Sequence, residues 1–152
     1  MEQLFADMSE RLGTLVQAIE EAVNGVPAED LDWKPAAEMN SLAVLLTHTA
    51  GALRYWVGDV AGGQPSARVR AQEFETRGLD AAALLGRLRE AVEHSNRVLA
   101  GLSVAQLGET RTGGMDNTPR TVGWALLHAL EHTALHTGHI QMTRQLWDAR
   151  DK

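Results

Sequence analysis

The sequence predicts an all-α protein folded as a four-helix bundle, and three observations support this. Apolar residues recur at spacings of three and four through four long segments. The prolines fall between those segments, at Pro27, Pro35, Pro65 and Pro119. No segment alternates apolar and polar residues with period two, and none is rich in β-branched side chains, as strands would be.

The first predicted helix runs from about Glu2 to Asn24, and the next residue, Gly25, ends it. Its apolar stripe consists of Leu12, Leu15, Ile19 and Val23. The second predicted helix begins at Ser41, a favourable N-cap, and runs to about Ala61. Its stripe consists of Leu45, Thr49, Leu53, Trp56 and Val60. Both segments are therefore amphipathic and need partners to cover one face.

The third predicted helix begins near Asp80, a second N-cap candidate, and runs to Gly101. The fourth begins near Thr118 or at Thr121 and runs to about Ala149. A polar connection over residues 62–79 separates the second helix from the third. Together the four segments predict one domain over residues 1–152, long enough to bury a core of its own.

Composition and charge narrow the function classes. The chain has 152 residues, a net charge of −6 and a pI near 5.5, and its basic residues form no stripe, which argues against a nucleic-acid partner. It has no cysteine, so a cysteine nucleophile or a Cys-type zinc site is excluded. The most apolar run is interrupted by His48 and Arg54, so no membrane span is expected. No secretory leader is evident at Met1, and the cytoplasm is the predicted compartment.

Four of the six histidines lie within residues 128–139. On a helix, the positions of His132, His136 and His139 fall within about 80° of His128, so all four rings share one stripe. Imidazoles four residues apart can converge on one cation, with each nitrogen about 2.0–2.1 Å from it. His94, alone on the third predicted helix, is interpreted as a packing residue.

Two ligand pairs compete within this stripe, because His128 and His136 lie on the order of 12 Å apart along the axis and cannot share an ion. The pair His128 and His132, in the sequence HALEH, matches an inverted zincin motif with Glu131 as general base. The alternative pair is His132 and His136. In either case His48 on the second helix is the predicted third ligand. Three histidines leave a coordination position open, as catalytic sites do.

Two blocks of the sequence, SLAVLLTHTAGALRYWV at 41–57 and TVGWALLHALEHTALHTGHIQM at 121–142, resemble the DinB/YfiT-like superfamily of metalloenzymes. The segments LDWKP at 31–35 and 68–74 extend the resemblance over essentially the whole chain. It implies an up-down-down-up bundle and the metal ligands His48, His132 and His136. His128 and His139 would be neighbours of the site. The ion implied is divalent, most often zinc or nickel, and imidazole ligands do not choose between them.

The resemblance also implies a homodimer that acts on a small-molecule substrate. The first functional hypothesis is transfer of a low-molecular-weight thiol of the bacillithiol or mycothiol type, with the thiol as a second cofactor and Arg68 and Arg70 holding an anionic group. The second is metal-dependent hydrolysis of an amide or ester. The third is a metal-binding stress-response module without catalysis. The sequence assigns no catalytic residue.

Overall fold

The computed structural model describes residues 1–115 and 118–150. The described part contains five α-helices, namely α1 (Gln3–Val23), α2 (Leu42–Leu53), α3 (Arg70–Glu73), α4 (Ala81–Gly101) and α5 (Val122–Ala149). Helices α1, α2, α4 and α5 correspond to the four predicted helices, and they pack into one bundle. The predicted all-α class is therefore confirmed.

Side-chain caps fix three of the predicted helix starts. The hydroxyl of Ser41 accepts a hydrogen bond from the amide of Val44 (3.3 Å), and the carboxylate of Asp80 accepts one from Ala83 (2.8 Å). Thr121 caps α5 by accepting from the amide of Trp124 at 3.1 Å. Of the two starts considered for the last helix, the structure uses Thr121, because its hydroxyl satisfies an amide that would otherwise lack a partner.

The direction of the first helix follows from its contacts with two others. Ser9 donates to Asn96 at 2.7 Å and Arg89 donates to Glu20 at 2.6 Å, so α1 and α4 are antiparallel. Near the C-terminal end of α1, Arg144 of α5 donates to the carbonyl of Ala22 at 2.9 Å. At the other end, residues 4–8 share a groove with residues 126–130. Helices α1 and α5 therefore run parallel.

Helix α2 completes the arrangement. Its residues Thr47 and Ala50 line a cavity with Arg87 of α4, and Gly62, further along the chain, lies against Val98, so these two helices are parallel. Helices α2 and α5 are antiparallel, since residue 45 shares a pocket with residues 139–143 and residue 56 contacts residue 124. The topology is up-down-down-up, and residues 62–79 form the crossover between the two parallel helices.

Two features between α2 and α4 were not predicted. The helical chain continues from α2 to Ala61, as predicted, but Arg54–Ala61 is wound as a π-helix. The carboxylate of Asp59 joins this segment to the crossover, because it accepts hydrogen bonds from Arg54 Nη1 at 2.7 Å and from Ser66 Oγ at 2.8 Å. Helix α3 is a single turn within the crossover that packs on α2. A turn this short carries too little periodicity to be found from sequence.

The remaining connections are short. Two 3₁₀ turns lie at Ala28–Asp30 and Val104–Gly108. Strand β1 (Thr110–Arg111) pairs antiparallel with β2 (Arg120–Thr121), leading directly into α5. This ribbon was also not predicted, because two-residue strands leave no pattern of alternation. No helix of residues 1–115 and 118–150 is both long enough and apolar enough to cross a membrane.

Helix α2 is the most deeply buried of the bundle helices, with ten of its twelve residues buried. Two of those ten, His48 and Thr49, are polar. The hydroxyl of Thr49 donates to the carbonyl of Leu45 at 2.7 Å, so it is satisfied within the helix. The imidazole of His48 needs a partner from elsewhere, because a buried polar group without one is costly.

Leu12 on α1 is fully buried and distant in sequence from the histidines, so it tests the packing of the bundle. We expect Leu12→Ala to lower the free energy of unfolding by about 2–5 kcal/mol, since it removes buried methyl groups and leaves a cavity. Leu127→Ala is the control, because Leu127 is 73% exposed, and its effect should stay within about 0.5 kcal/mol. Urea denaturation measures both; equal losses would contradict this packing.

Candidate metal centre

The antiparallel packing of α2 and α5 brings three histidines together. His48 comes from α2, and His132 and His136 come from successive turns of α5. Each offers a ring nitrogen, and the three nitrogens lie within 4.8 Å of one another. The ring centroid of His48 is 5.0 Å from that of His132 and 4.9 Å from that of His136. The cluster is the set of three residues that the sequence singled out.

The geometry of this cluster fits a metal ion. His48 Nε2 and His132 Nε2 are 3.2 Å apart. Two nitrogens that each lie 2.0–2.1 Å from a tetrahedral ion are separated by about 3.3 Å. Small buried side chains, namely Ala129, Thr133 and Thr137, lie on the same stretch of α5 as the two rings. The donor set is all imidazole, which suits zinc, nickel, copper or iron.

Burial holds the two α5 histidines of the cluster in the neutral form. The pKa of His132 is lowered to about 3, first by burial and then by the neighbouring His136 and His48. The pKa of His136 is lowered to about 4, first by burial and then by His48 and His139. Neutral imidazole is the form that binds metal, so no proton has to leave these two rings at neutral pH.

A carboxylate lies directly behind His48. Glu73 of α3 is 7% exposed, and its Oε2 atom lies 2.8 Å from His48 Nδ1. The pKa of Glu73 is lowered, although burial alone would raise it, because hydrogen bonds from Arg68 and His48 favour the charged form. A carboxylate accepts and does not donate, so Nδ1 of His48 carries the proton. Its Nε2 atom then presents a lone pair to the cluster.

Arg68 in turn holds Glu73. Its Nε donates to Glu73 Oε1 at 2.5 Å and its Nη2 donates to Oε2 at 2.7 Å. This two-point contact fixes the plane of the carboxylate. The sequence predicted Arg68 and Arg70 as contacts for an anionic group; the structure gives Arg68 this internal partner and places Arg70 4.7 Å above the ring of Phe74.

The other histidines of the stripe flank the cluster. His128 stacks on Trp124 with ring planes 12° apart. The ring of Trp56 packs against His128 in a T-shaped arrangement, with the two ring centroids 4.7 Å apart. His139 Nδ1 lies 3.3 Å from His136 Nδ1 at the opposite end. Glu131, the base that an inverted zincin motif requires, is 79% exposed in its side chain. This geometry favours the pair His132 and His136 over His128 and His132.

His94 lies outside the cluster, on α4. It lines a cavity of about 330 Å³ between α2 and α4 together with Thr47 and Arg97. Burial lowers its pKa, and Arg54 and Arg97 add to this effect while Asp59 opposes it. The sequence interpreted His94 as a packing residue, and the structure places it away from the three clustered rings.

Sequence reasoning missed two residues of the site. Glu73 stood within a segment used only for the family resemblance, and no role was assigned to it. Gly51 was also given no role, yet a Cβ atom there would overlap Glu73 Oε1 and lie 3.3 Å from Arg68 Nε. The only available signal was a glutamate near two arginines, which is common in solvated loops.

Solved structures share this fold. A conserved protein from Enterococcus faecalis is 18% identical, with a TM-score of 0.74 over 96% of this chain and 98% of that one. A protein from Streptococcus pneumoniae is 14% identical, with a TM-score of 0.68 over 98% of this chain and 92% of that one. At such identities the likeness concerns the fold alone. Among curated proteins, none matches the chain.

The family is identified by its sequence model. The model described as Mycothiol-S-transferase matches residues 7–149, which include every helix of the bundle except the first residues of α1. The match spans His48, the crossover with Glu73, and the clustered histidines His132 and His136 of α5. The chain therefore belongs to the mycothiol-S-transferase family, within the DinB/YfiT-like superfamily.

Proposed function

We propose that the protein is a metal-dependent thiol S-transferase that joins a mycothiol-type low-molecular-weight thiol to an electrophilic small molecule. His48, His132 and His136 would hold one divalent ion, with zinc or nickel as the first candidates. The observation that carries the proposal is the convergence of three ring nitrogens within 4.8 Å in a chain of this family. The ion would lower the pKa of a bound thiol, so that thiolate is present at neutral pH.

The chain's own residues supply the setting for this chemistry. Because it has no cysteine, the nucleophilic sulfur has to arrive with the cosubstrate. In the transfer, sulfur forms a bond to an electrophilic carbon of the acceptor. The leaving group departs with the electrons of the broken bond, and the thiol proton passes to solvent. The buried ring of His48 and the half-buried rings of His132 and His136 would limit the water that reaches the reacting atoms.

An anionic group on either substrate has a nearby contact in Arg70. Its side chain is exposed and lies over Phe74, whose ring centroid is 5.0 Å from that of His48. Arg68 lies behind Glu73, to which its Nε atom donates a hydrogen bond.

The homodimer and the cytoplasmic location stay predictions from the sequence. Hydrolysis is less well supported, because Glu131 is exposed and Glu73 is engaged by His48 and Arg68.

Metal content tests the ligand set. We expect one zinc or nickel ion per chain in the wild-type protein and less than about a tenth of that in His48→Ala, His132→Ala and His136→Ala, because each removes one of three ligands. Elemental analysis of tag-free, dialysed protein gives the measurement.

His128→Ala is the matched control for these variants. His128 lies on the same helix stripe but outside the cluster, so the variant should retain its ion. Loss of metal in His128→Ala with retention in His136→Ala would refute the proposed ligand pair and favour HALEH as the site.

The neutral histidines predict how the metal-free protein responds to acid. Their folded pKa values, about 3 and 4, lie below the ordinary value of 6.5 that the unfolded chain has. The stability they contribute is fully present above pH 6.5, and it is lost as the pH falls towards 4, because the unfolded chain then binds protons that the folded protein does not. We expect the melting temperature in chelator to fall across this range.

The double variant His132→Gln, His136→Gln removes both titrating groups, so its melting temperature should fall less between pH 6.5 and 4.5. Glu73, whose pKa is also lowered, is present in both proteins, so its own contribution cancels in the comparison. If the melting temperature falls equally with pH in the wild type and in the double variant, these rings do not titrate as described.

Thiol transfer is tested directly with a mycothiol-type thiol and an aryl halide as the acceptor. We expect conjugation that is lost on chelation and falls by about 100-fold or more in His136→Ala, because the loss of metal assistance amounts to several kcal/mol. Product formation is followed by mass spectrometry. Hydrolysis of esters without thiol transfer would favour the hydrolase, and thermal stabilisation by metal without turnover would favour a binding module.

A further inference from the structure

We propose that Arg68 and Glu73 form a clamp that positions His48 for metal binding, and that Gly51 provides the space for it. The clamp is the chain of hydrogen bonds from the Arg68 guanidinium through the Glu73 carboxylate to His48 Nδ1. This inference rests on the proposed function, because it concerns the same three-histidine cluster. Its residues are positioning residues, since none of them belongs to that cluster.

The first argument concerns the proton of His48. An imidazole offers one donor and one acceptor nitrogen, and a free histidine exchanges between the two forms. Glu73 Oε2, at 2.8 Å, accepts from Nδ1 and so fixes the form in which Nε2 is free. Without that carboxylate, Nε2 would carry the proton part of the time. A partner of this kind also fixes ring orientation and raises ligand basicity.

The second argument concerns the rigidity of the carboxylate. Both Glu73 and Arg68 are buried, with side chains 8% and 7% exposed, and the guanidinium contacts both carboxylate oxygens. The pair lies against the backbone of α2 at Gly51, one turn beyond His48 along the helix. No other residue at position 51 leaves room for Glu73 Oε1, because a Cβ would overlap it.

The third argument is the asymmetry of the cluster. His132 and His136 share α5, which sets their spacing without outside help. His48 has to meet them from another helix, so its orientation depends on contacts outside α2. Among the described residues, the hydrogen bonds of its ring run to Glu73 on one side and to His132 on the other. The crossover therefore adds Glu73 of α3 to a cluster whose three histidines come from α2 and α5.

Two substitutions perturb the clamp in different ways. Glu73→Gln keeps the shape but turns one acceptor into a donor that faces Arg68 or His48. Gly51→Ala keeps every charge and displaces the carboxylate, while alanine favours the helix. We expect each to weaken zinc affinity by about 10- to 100-fold in chelator competition. The visible absorption of the cobalt-loaded protein should also change, reporting an altered coordination geometry.

Matched controls exist for both variants. Asp59→Asn alters a second buried carboxylate that pairs with an arginine and orders the same crossover, without contact to His48. Gly13→Ala places a methyl group on α1, where a Cβ meets nothing within 4 Å. Both controls should leave zinc affinity within about 2-fold of the wild type. Equal zinc affinity in Glu73→Gln and the wild type, or an equal loss in Asp59→Asn, would overturn the clamp.

A measurement without metal separates this inference from the proposed function. Nitrogen NMR of the metal-free protein should show His48 with its proton on Nδ1, and Glu73→Ala should shift it towards Nε2. An unchanged tautomer in Glu73→Ala would overturn the clamp even if the wild type binds zinc. A wild type that binds no metal, with the expected tautomer shift, would instead retain the clamp and refute the proposed metal-dependent function.

Discussion

The site depends on one constraint, which is that an imidazole has to be buried in the middle of the most apolar helix of the bundle. His48 is 6% exposed and lies on α2, whose other buried residues are alanine, leucine and valine apart from Thr49. A buried imidazole costs free energy unless both nitrogens have partners. Glu73 satisfies Nδ1, while Nε2 faces His132. The crossover brings Glu73 to this ring because α3 packs on α2.

The topology of the bundle explains why it has a long crossover. Antiparallel neighbours need only a short loop, but α2 and α4 are parallel, so the chain has to return along the bundle between them. That return provides the backbone on which Arg68 and Glu73 sit. Asp59 anchors its beginning through Ser66, and α3 carries Glu73 at its end. A connection required by topology thus also supplies the carboxylate behind the site.

Much of the fold and part of the site could be predicted from sequence, for identifiable reasons. The caps at Ser41, Asp80 and Thr121 are local signals, and the four amphipathic stripes are periodic ones. The clustering of His132 and His136 follows from helical spacing alone. The role of Glu73 could not be predicted, because it depends on a contact between residues 25 positions apart in the chain. The π-helical turn likewise depends on packing and not on composition.

The contact between Glu73 and His48 also fixes how the ring from α2 approaches the two rings on α5. Two ligands on one helix fix a distance but leave the approach of the third undetermined. A third ligand that was free to rotate would make the site adaptable and weak, since ordering the ring on binding costs entropy. With Nδ1 held by a buried ion pair, that ordering is completed when the protein folds. The free energy of folding therefore sets the orientation of the His48 ring in advance.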